Sequence, residues 1–102
     1  MTEIKEITVG QVHEKHENGE KFSLIDVRRD NEWQSKHIEY ATHLQLDFID
    51  GDTAAKIVPD KDTCIVLYCA AGVRSLTAAK KFMDLGYTNV FSMKGGLSRW
   101  KY

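Results

Sequence analysis

Two rhythms of apolar and polar positions run along this chain. Unbroken β-prone runs, "FSLIDV" (22–27), "CIVLY" (64–68) and "NVFSM" (89–93), read as strands buried on both faces. The shorter "KEIT" (5–8) and "ATHLQL" (41–46) read as two more. Helical spacing fills the gaps between them. Thr8 is placed to cap a first helix, with Gln11 three residues on as in a capping box and Gly19 positioned to end it. "RRDNEWQSK" predicts a loop and short helix, and "DFIDGDTAAKIVPDKD" a short helix and loop around the only proline, Pro59. After "CIVLY" comes the best-defined helix. Thr77, Lys80, Lys81 and Asp84 follow i, i+3, i+4, i+7 spacing on one polar face, leaving Leu76, Ala78, Ala79, Phe82, Met83 and Leu85 as a wide buried stripe. Gly86 is a natural cap, and "GGLSRW" turns into a terminal helix. Strands alternating with helices at this pace predict an α/β sandwich on a mostly parallel sheet.

Composition narrows this picture. A chain of 102 residues, 42% hydrophobic, is the size of one domain with one core, here residues 1–102. A net charge of -1, from 14 basic and 15 acidic residues, gives no electrostatic reason to expect nucleic acid or an anionic membrane as partner. No apolar run approaches the roughly 20 residues of a membrane helix. "MTEIKEITVG" lacks a charged-then-apolar signal pattern, so the expected location is the cytoplasm.

The two cysteines bring in chemistry. Cys64 and Cys69 stand at opposite ends of the strand "CIVLYC", separated by roughly 16 Å at about 3.3 Å per residue. A disulfide needs Cα atoms within about 7 Å, so two free thiols are expected, as in a reducing compartment. Their spacing, without partner histidines, is also poor for zinc, and no metal site is expected. Cys69 ends the central strand and immediately precedes a helix, in "YCAAGVRS" (68–75). Ligands of open α/β sheets collect at that end of the strands. The positive helix terminus favours an anion there, such as a thiolate. Ala70, Ala71, Gly72 and Val73 carry no bulky polar side chain, so their amides can turn inward around the sulfur, with Gly72 supplying the tight curvature. Arg74 adds a fixed positive charge to hold an anionic substrate or brace the loop. The bland alternative is that Cys69 is a small buried hydrophobe, the usual fate of a lone cysteine. The strand–Cys–Gly–Arg–helix context argues against it. A Walker phosphate loop is excluded because "GxxxxGK[ST]" is absent.

"YCAAGVRS" with the following "LTAAKKFMDLGYTNVFSMKGGLSRW", and "LIDVRRDNEWQSKHI" before them, resembles the single-domain rhodanese family of sulfurtransferases over roughly residues 5 to 101. The resemblance implies a three-layer α/β/α sandwich with a mostly parallel five-stranded sheet. It also implies an activity in which Cys69 takes a sulfane sulfur from thiosulfate or a related donor as a persulfide and passes it to cyanide or a thiol. Ala70, Ala71, Gly72, Val73 and Arg74 would form the substrate cradle. No cofactor is implied, and a persulfide-exchanging protein is a further candidate partner. The chain departs from the family at "KHIEYA" (36–41), where Lys36, Glu39 and Tyr40 replace residues of a tight Gly-His-Ile-Pro-Gly-Ala turn. His37 is read as a structural hydrogen-bonding residue, and Asp26, Arg28 and Glu32 as a brace at the strand end. Arg28 and Arg29 could also add positive potential. Cys64, Trp33 and Trp100 are read as packing residues.

Two other functions fit this shape. Dual-specificity phosphatases and arsenate reductases use a similar loop with Cys-x5-Arg spacing, wide enough for a tetrahedral oxyanion. Here the spacing is Cys-x4-Arg. A non-catalytic docking module of rhodanese shape often lacks the cysteine, which this chain keeps.

Overall fold

The computed structural model describes residues 3–102. Met1 and Thr2, which the single-domain and N-terminal readings included, lie outside the described residues. In chain order the elements are β1 (Lys5–Ile7), α1 (Val9–Glu17), β2 (Ser23–Asp26), α2 (Asp30–Ser35), β3 (Thr42–His43), α3 (Gly51–Ile57), β4 (Ile65–Tyr68), α4 (Arg74–Asp84) and β5 (Val90–Met93). Single 3-10 turns follow β3 at Leu46–Phe48 and β5 at Gly96–Arg99. The strands pair in the order β1-β5-β4-β2-β3, and every pairing is parallel.

Burial follows from that order. β4 is central, and none of Ile65, Val66, Leu67 or Tyr68 is solvent-exposed, as its unbroken apolar run requires. Side chains alternate across the sheet. Ile65 and Leu67 enter the layer with Ala54 and Val58 of the α3 region and Ala78, Ala79 and Phe82 of α4. Val66 and Tyr68 face the opposite layer with Val12 of α1 and Met93. Cys69 continues the odd-numbered parity and joins the α4 side. That parity aims the thiol at the start of α4.

Three sequence expectations change in detail. The run 41–46 supplies only Thr42–His43 as strand, because β3 is an edge strand whose ladder with β2 holds two residue pairs. The terminal helix is a single 3-10 turn, short enough for its amides to reach back to the loop after β4. In α4, Leu76, Met83 and Leu85 are half-buried, and full burial is confined to Ser75, Ala78, Ala79 and Phe82. The first helix matches its predicted ends: Thr8 and Gln11 form a capping box, and Gly19 follows the Asn18 cap at φ 71°.

The "KHIEYA" departure also has a structural resolution. Where a proline-glycine turn is absent, contacts hold the backbone. Arg28 Nη2 donates to the Lys36 carbonyl (2.6 Å), and Ile38 N–H donates to the Tyr68 hydroxyl (3.1 Å). Tyr40 stacks on His16 of α1 with ring centroids 3.6 Å apart and meets Trp100 edge-on. An aromatic anchor on α1 takes over the work of the tight turn.

Candidate active site

The loop 69–74 is built from β4 below, α4 ahead and the turn after β5 beside it. Cys69 is 1% exposed. Its Sγ receives the Gly72 N–H at 3.1 Å and the Ser75 N–H at 3.4 Å. Ser75 Oγ lies 3.6 Å from the sulfur. No side chain caps α4, and the Ser75 N–H in its first turn goes to Sγ instead, so the sulfur occupies the place of a capping acceptor. Burial pushes the thiol upward. Hydrogen bonds from the Ser75 hydroxyl and from the Ser75, Gly72 and Ala71 amides outweigh it and leave Cys69 below the ordinary thiol range. Cys64 goes the other way: half-buried at the far end of β4, it is pushed up by burial. Both cysteines are free.

Gly72 has φ 94°, and a Cβ there would lie 2.9 Å from the Gly95 nitrogen. The loop therefore rests directly on the Gly95–Gly96 backbone. Leu97 N–H donates to the Cys69 carbonyl (2.8 Å) and Ser98 N–H to the Ala70 carbonyl (2.9 Å). These bonds tie the loop's carbonyls away from the sulfur and leave its amides free to face it. Ala71 and Val73 turn outward, and Val73 is 72% exposed.

Arg74 points back across the loop to α2. Its Nη1 and Nη2 donate to the two Glu32 oxygens at 2.8 and 2.9 Å. Glu32 also accepts the Arg29 N–H at 3.1 Å, which caps α2. The Arg74 hydrogen bonds come first among the causes that hold the Glu32 carboxyl down, from 4.5 to about 2. Such a depressed carboxylate adds stability that is complete above pH 4.5 and is lost as the pH falls toward 2. The stability gap between the native protein and Glu32→Gln is therefore expected to shrink from pH 6 to pH 2.5 in urea unfolding. A gap of constant size would mean that the pair does not tie α2 to the loop.

Asp26 and Arg28 make a second, buried pair at the end of β2. Arg28 Nη2 lies 2.7 Å from Asp26 Oδ2, and Arg28 Nε donates to the same carboxylate. Arg28 of this pair also holds the backbone at Lys36. His37 hydrogen-bonds the Trp33 carbonyl (2.7 Å) and stacks on the Trp33 ring, whose other neighbour is His43. Trp33 is thus held by flat contacts. Trp100 meets Tyr40, His13 and Tyr102 edge-on.

Sequence reasoning missed Ser75, Ser92 and the Gly95–Gly96 pair. Ser75 follows Arg74 directly and contributes both an amide and a hydroxyl. Ser92 Oγ lies 2.7 Å from Ser75 Oγ, and both serines are fully buried. The usable signals were a serine on the buried face of a strand and adjacent glycines at its end. Cavity size gives no help. A cavity of about 740 Å³ lies beside β1 and the C-terminal half of α4 and has no thiol in its wall.

The Rhodanese-like domain family matches residues 8–102. Thiosulfate sulfurtransferase GlpE of Pseudomonas savastanoi pv. phaseolicola is 36% identical over 101 residues, covering 99% of this chain and 91% of that protein. The rhodanese-like domain of an Anabaena protein has the same fold, with a TM-score of 0.86 at 24% identity over 96% of this chain and 74% of that one. A Rhodopseudomonas palustris protein described as a possible tyrosine phosphatase gives a TM-score of 0.82 at 30% identity over 95% of this chain and 79% of that one. By sequence and by fold, this chain belongs to the rhodanese-like domain family.

Proposed function

We propose that the protein is a sulfurtransferase that carries sulfane sulfur as a persulfide on Cys69. The observation behind this reading is the convergence of the Gly72 and Ser75 amides on one sulfur atom, with the Ser75 hydroxyl beside it at 3.6 Å. Donors arranged beforehand around an anion cost no reorganisation during reaction. Their effect here is to favour the thiolate over the thiol and to hold the persulfide anion that replaces it.

In the loading step the Cys69 thiolate attacks the outer sulfur of thiosulfate. A bond forms between Sγ and that sulfur. The sulfur–sulfur bond of thiosulfate breaks, and its electron pair leaves with sulfite. In the discharge step cyanide or a thiolate attacks the terminal sulfur, and Sγ departs as thiolate. No proton is taken from the nucleophile, so no general base is required. Ala70, Ala71, Gly72 and Val73 supply backbone rather than side-chain selectivity. Arg74 fixes the loop through Glu32. Its proposed share in substrate binding is electrostatic, felt by an anionic donor near the loop.

A phosphatase reading meets two obstacles. The Cys-x4-Arg ring is a residue shorter than the phosphatase loop, and Arg74 is already paired end-on with the Glu32 carboxylate, with which a phosphate would have to compete for its charge.

The test is direct observation of the intermediate. After treatment with thiosulfate and desalting, intact-protein mass spectrometry is expected to show a gain of one sulfur atom, mapped to Cys69 and absent from Cys64. Cyanide should restore the original mass and release thiocyanate. Equal loading of both cysteines, or none from any sulfane donor, would move the docking-module reading ahead. Cys69-dependent hydrolysis of p-nitrophenyl phosphate would favour the phosphatase.

A further inference from the structure

Ser92 lies on the opposite side of Ser75 from the sulfur. It sits in β5 on the face turned toward α4, since its neighbours Phe91 and Met93 pack in the other layer. Neither Ser92 nor Ser75 has any exposed surface. Among the described residues, the hydrogen-bond partner of Ser92 Oγ is Ser75 Oγ, at 2.7 Å. The chain of groups is therefore Ser92 Oγ, Ser75 Oγ, Cys69 Sγ.

We infer that Ser92 is a positioning residue that orients the Ser75 proton toward Cys69 and thereby favours the thiolate. Counting protons gives the reason. When Cys69 is a thiolate, Ser92 O–H donates to Ser75 Oγ and Ser75 O–H donates to Sγ. Both hydroxyl protons are then used, and the charge at the end of the row strengthens each bond. When Cys69 is a thiol donating to Ser75 Oγ, three protons share two links. Either Ser75 O–H turns to Ser92 Oγ and the Ser92 proton loses its acceptor in the row, or Ser75 Oγ accepts from both neighbours and its own proton loses its acceptor in the row. Burying an unmatched hydroxyl is unfavourable. Within this row both hydroxyl protons are matched only when the sulfur is an anion.

No group hydrogen-bonded to Sγ carries a formal charge. Arg74 in the loop is bound to Glu32, and Asp26, opposite Tyr68 at the end of the neighbouring strand β2, is bound to Arg28, so each is already paired. A neutral relay is left to set the direction of the Ser75 hydroxyl. The inference rests on the sulfurtransferase reading for its meaning. Thiolate is the attacking species in loading and the leaving group in discharge, so the same relay would serve both steps.

The test measures the thiol without any sulfur donor. The rate of Cys69 alkylation by iodoacetamide, followed against pH, gives the titration midpoint and the plateau of the thiolate. Ser92→Ala is expected to raise the midpoint by about half a pH unit, roughly threefold less thiolate well below it, with an unchanged plateau. Ser75→Ala should raise it by about one unit. In the Ser75→Ala background, Ser92→Ala should add nothing, because Ser92 acts through Ser75. Ser92→Thr and Ser92→Val share a shape that suits a strand and differ by the hydroxyl. Thr should keep the native midpoint, and Val should raise it, which decides the matter should the alanine variant not fold. An unshifted midpoint in Ser92→Val, or a shift that persists at full size without the Ser75 hydroxyl, would overturn the inference. Failure of the native protein to load sulfur would overturn the proposed function and leave this titration standing.

Discussion

A Cys69→Ser protein is expected to fold and to transfer no sulfur. The serine hydroxyl fits the space of the thiol, and the Gly72 and Ser75 amides that meet Sγ find an oxygen acceptor in its place. The fold should therefore lose on the order of 1 kcal/mol, a typical cost for one substitution in a buried site. Chemistry is another matter. A serine hydroxyl is un-ionised near neutral pH, and this loop supplies no adjacent base to activate it. Loss of a nucleophile of this kind costs on the order of a thousandfold or more. Cys64→Ser is the matched control. Cys64 lies half-buried at the amino end of β4, and the Ser23 N–H contacts its carbonyl, which serine keeps. It should retain most of its activity. Thiosulfate:cyanide turnover with circular dichroism of both variants checks this. Substantial turnover by a folded Cys69→Ser protein would remove Cys69 from the mechanism.

What the sequence made legible was local. The unbroken run "CIVLY" announced a central strand, and its fixed alternation carried Cys69 to the α4 side. The small residues after it announced inward-turning amides. The ring closes two positions beyond the run of small residues: Ser75 donates to the sulfur, while Val73 faces solvent. The reason is that α4 begins at Arg74, and a first-turn amide points out of the helix end toward the sulfur. What stayed hidden was every partner distant in sequence. Glu32 is 42 positions from Arg74, and Ser92 is 17 from Ser75. Nothing in either local pattern selects its partner. The strand order β1-β5-β4-β2-β3 does so, by setting β5 and the end of β2 on either side of β4. The choice between a substrate-holding and a loop-bracing Arg74, open in the sequence, acquires geometry once α2 brings Glu32 within 2.8 Å.

Gly96→Ala is expected to disable the loop from beneath. Gly96 has φ 59°, and a Cβ added there would lie 2.3 Å from the Cys69 carbonyl oxygen and 2.8 Å from the Ala70 carbonyl carbon. Both obstacles are backbone, so no side chain can swing aside. Relief requires the turn at Gly96–Arg99 to move off the loop, which breaks the bonds from Leu97 N–H to Cys69 and from Ser98 N–H to Ala70. Positive φ alone costs a non-glycine residue about 1–2 kcal/mol, and two lost hydrogen bonds add on the order of 1 kcal/mol each. Gly19→Ala separates these contributions. Gly19 has φ 71° with nothing within 4 Å of the added Cβ, and it lies after α1, on the far side of the sheet from α4. It should lose stability through φ alone and keep native turnover. Gly96→Ala should lose both, with kcat falling more steeply than KM rises because the displaced amides act on the sulfur rather than on donor binding. Denaturant unfolding and thiosulfate kinetics on the two variants measure this. A Gly96→Ala protein as active as Gly19→Ala would mean that the loop keeps its shape without the turn beneath it. The amide ring would then be a property of residues 69–75 alone.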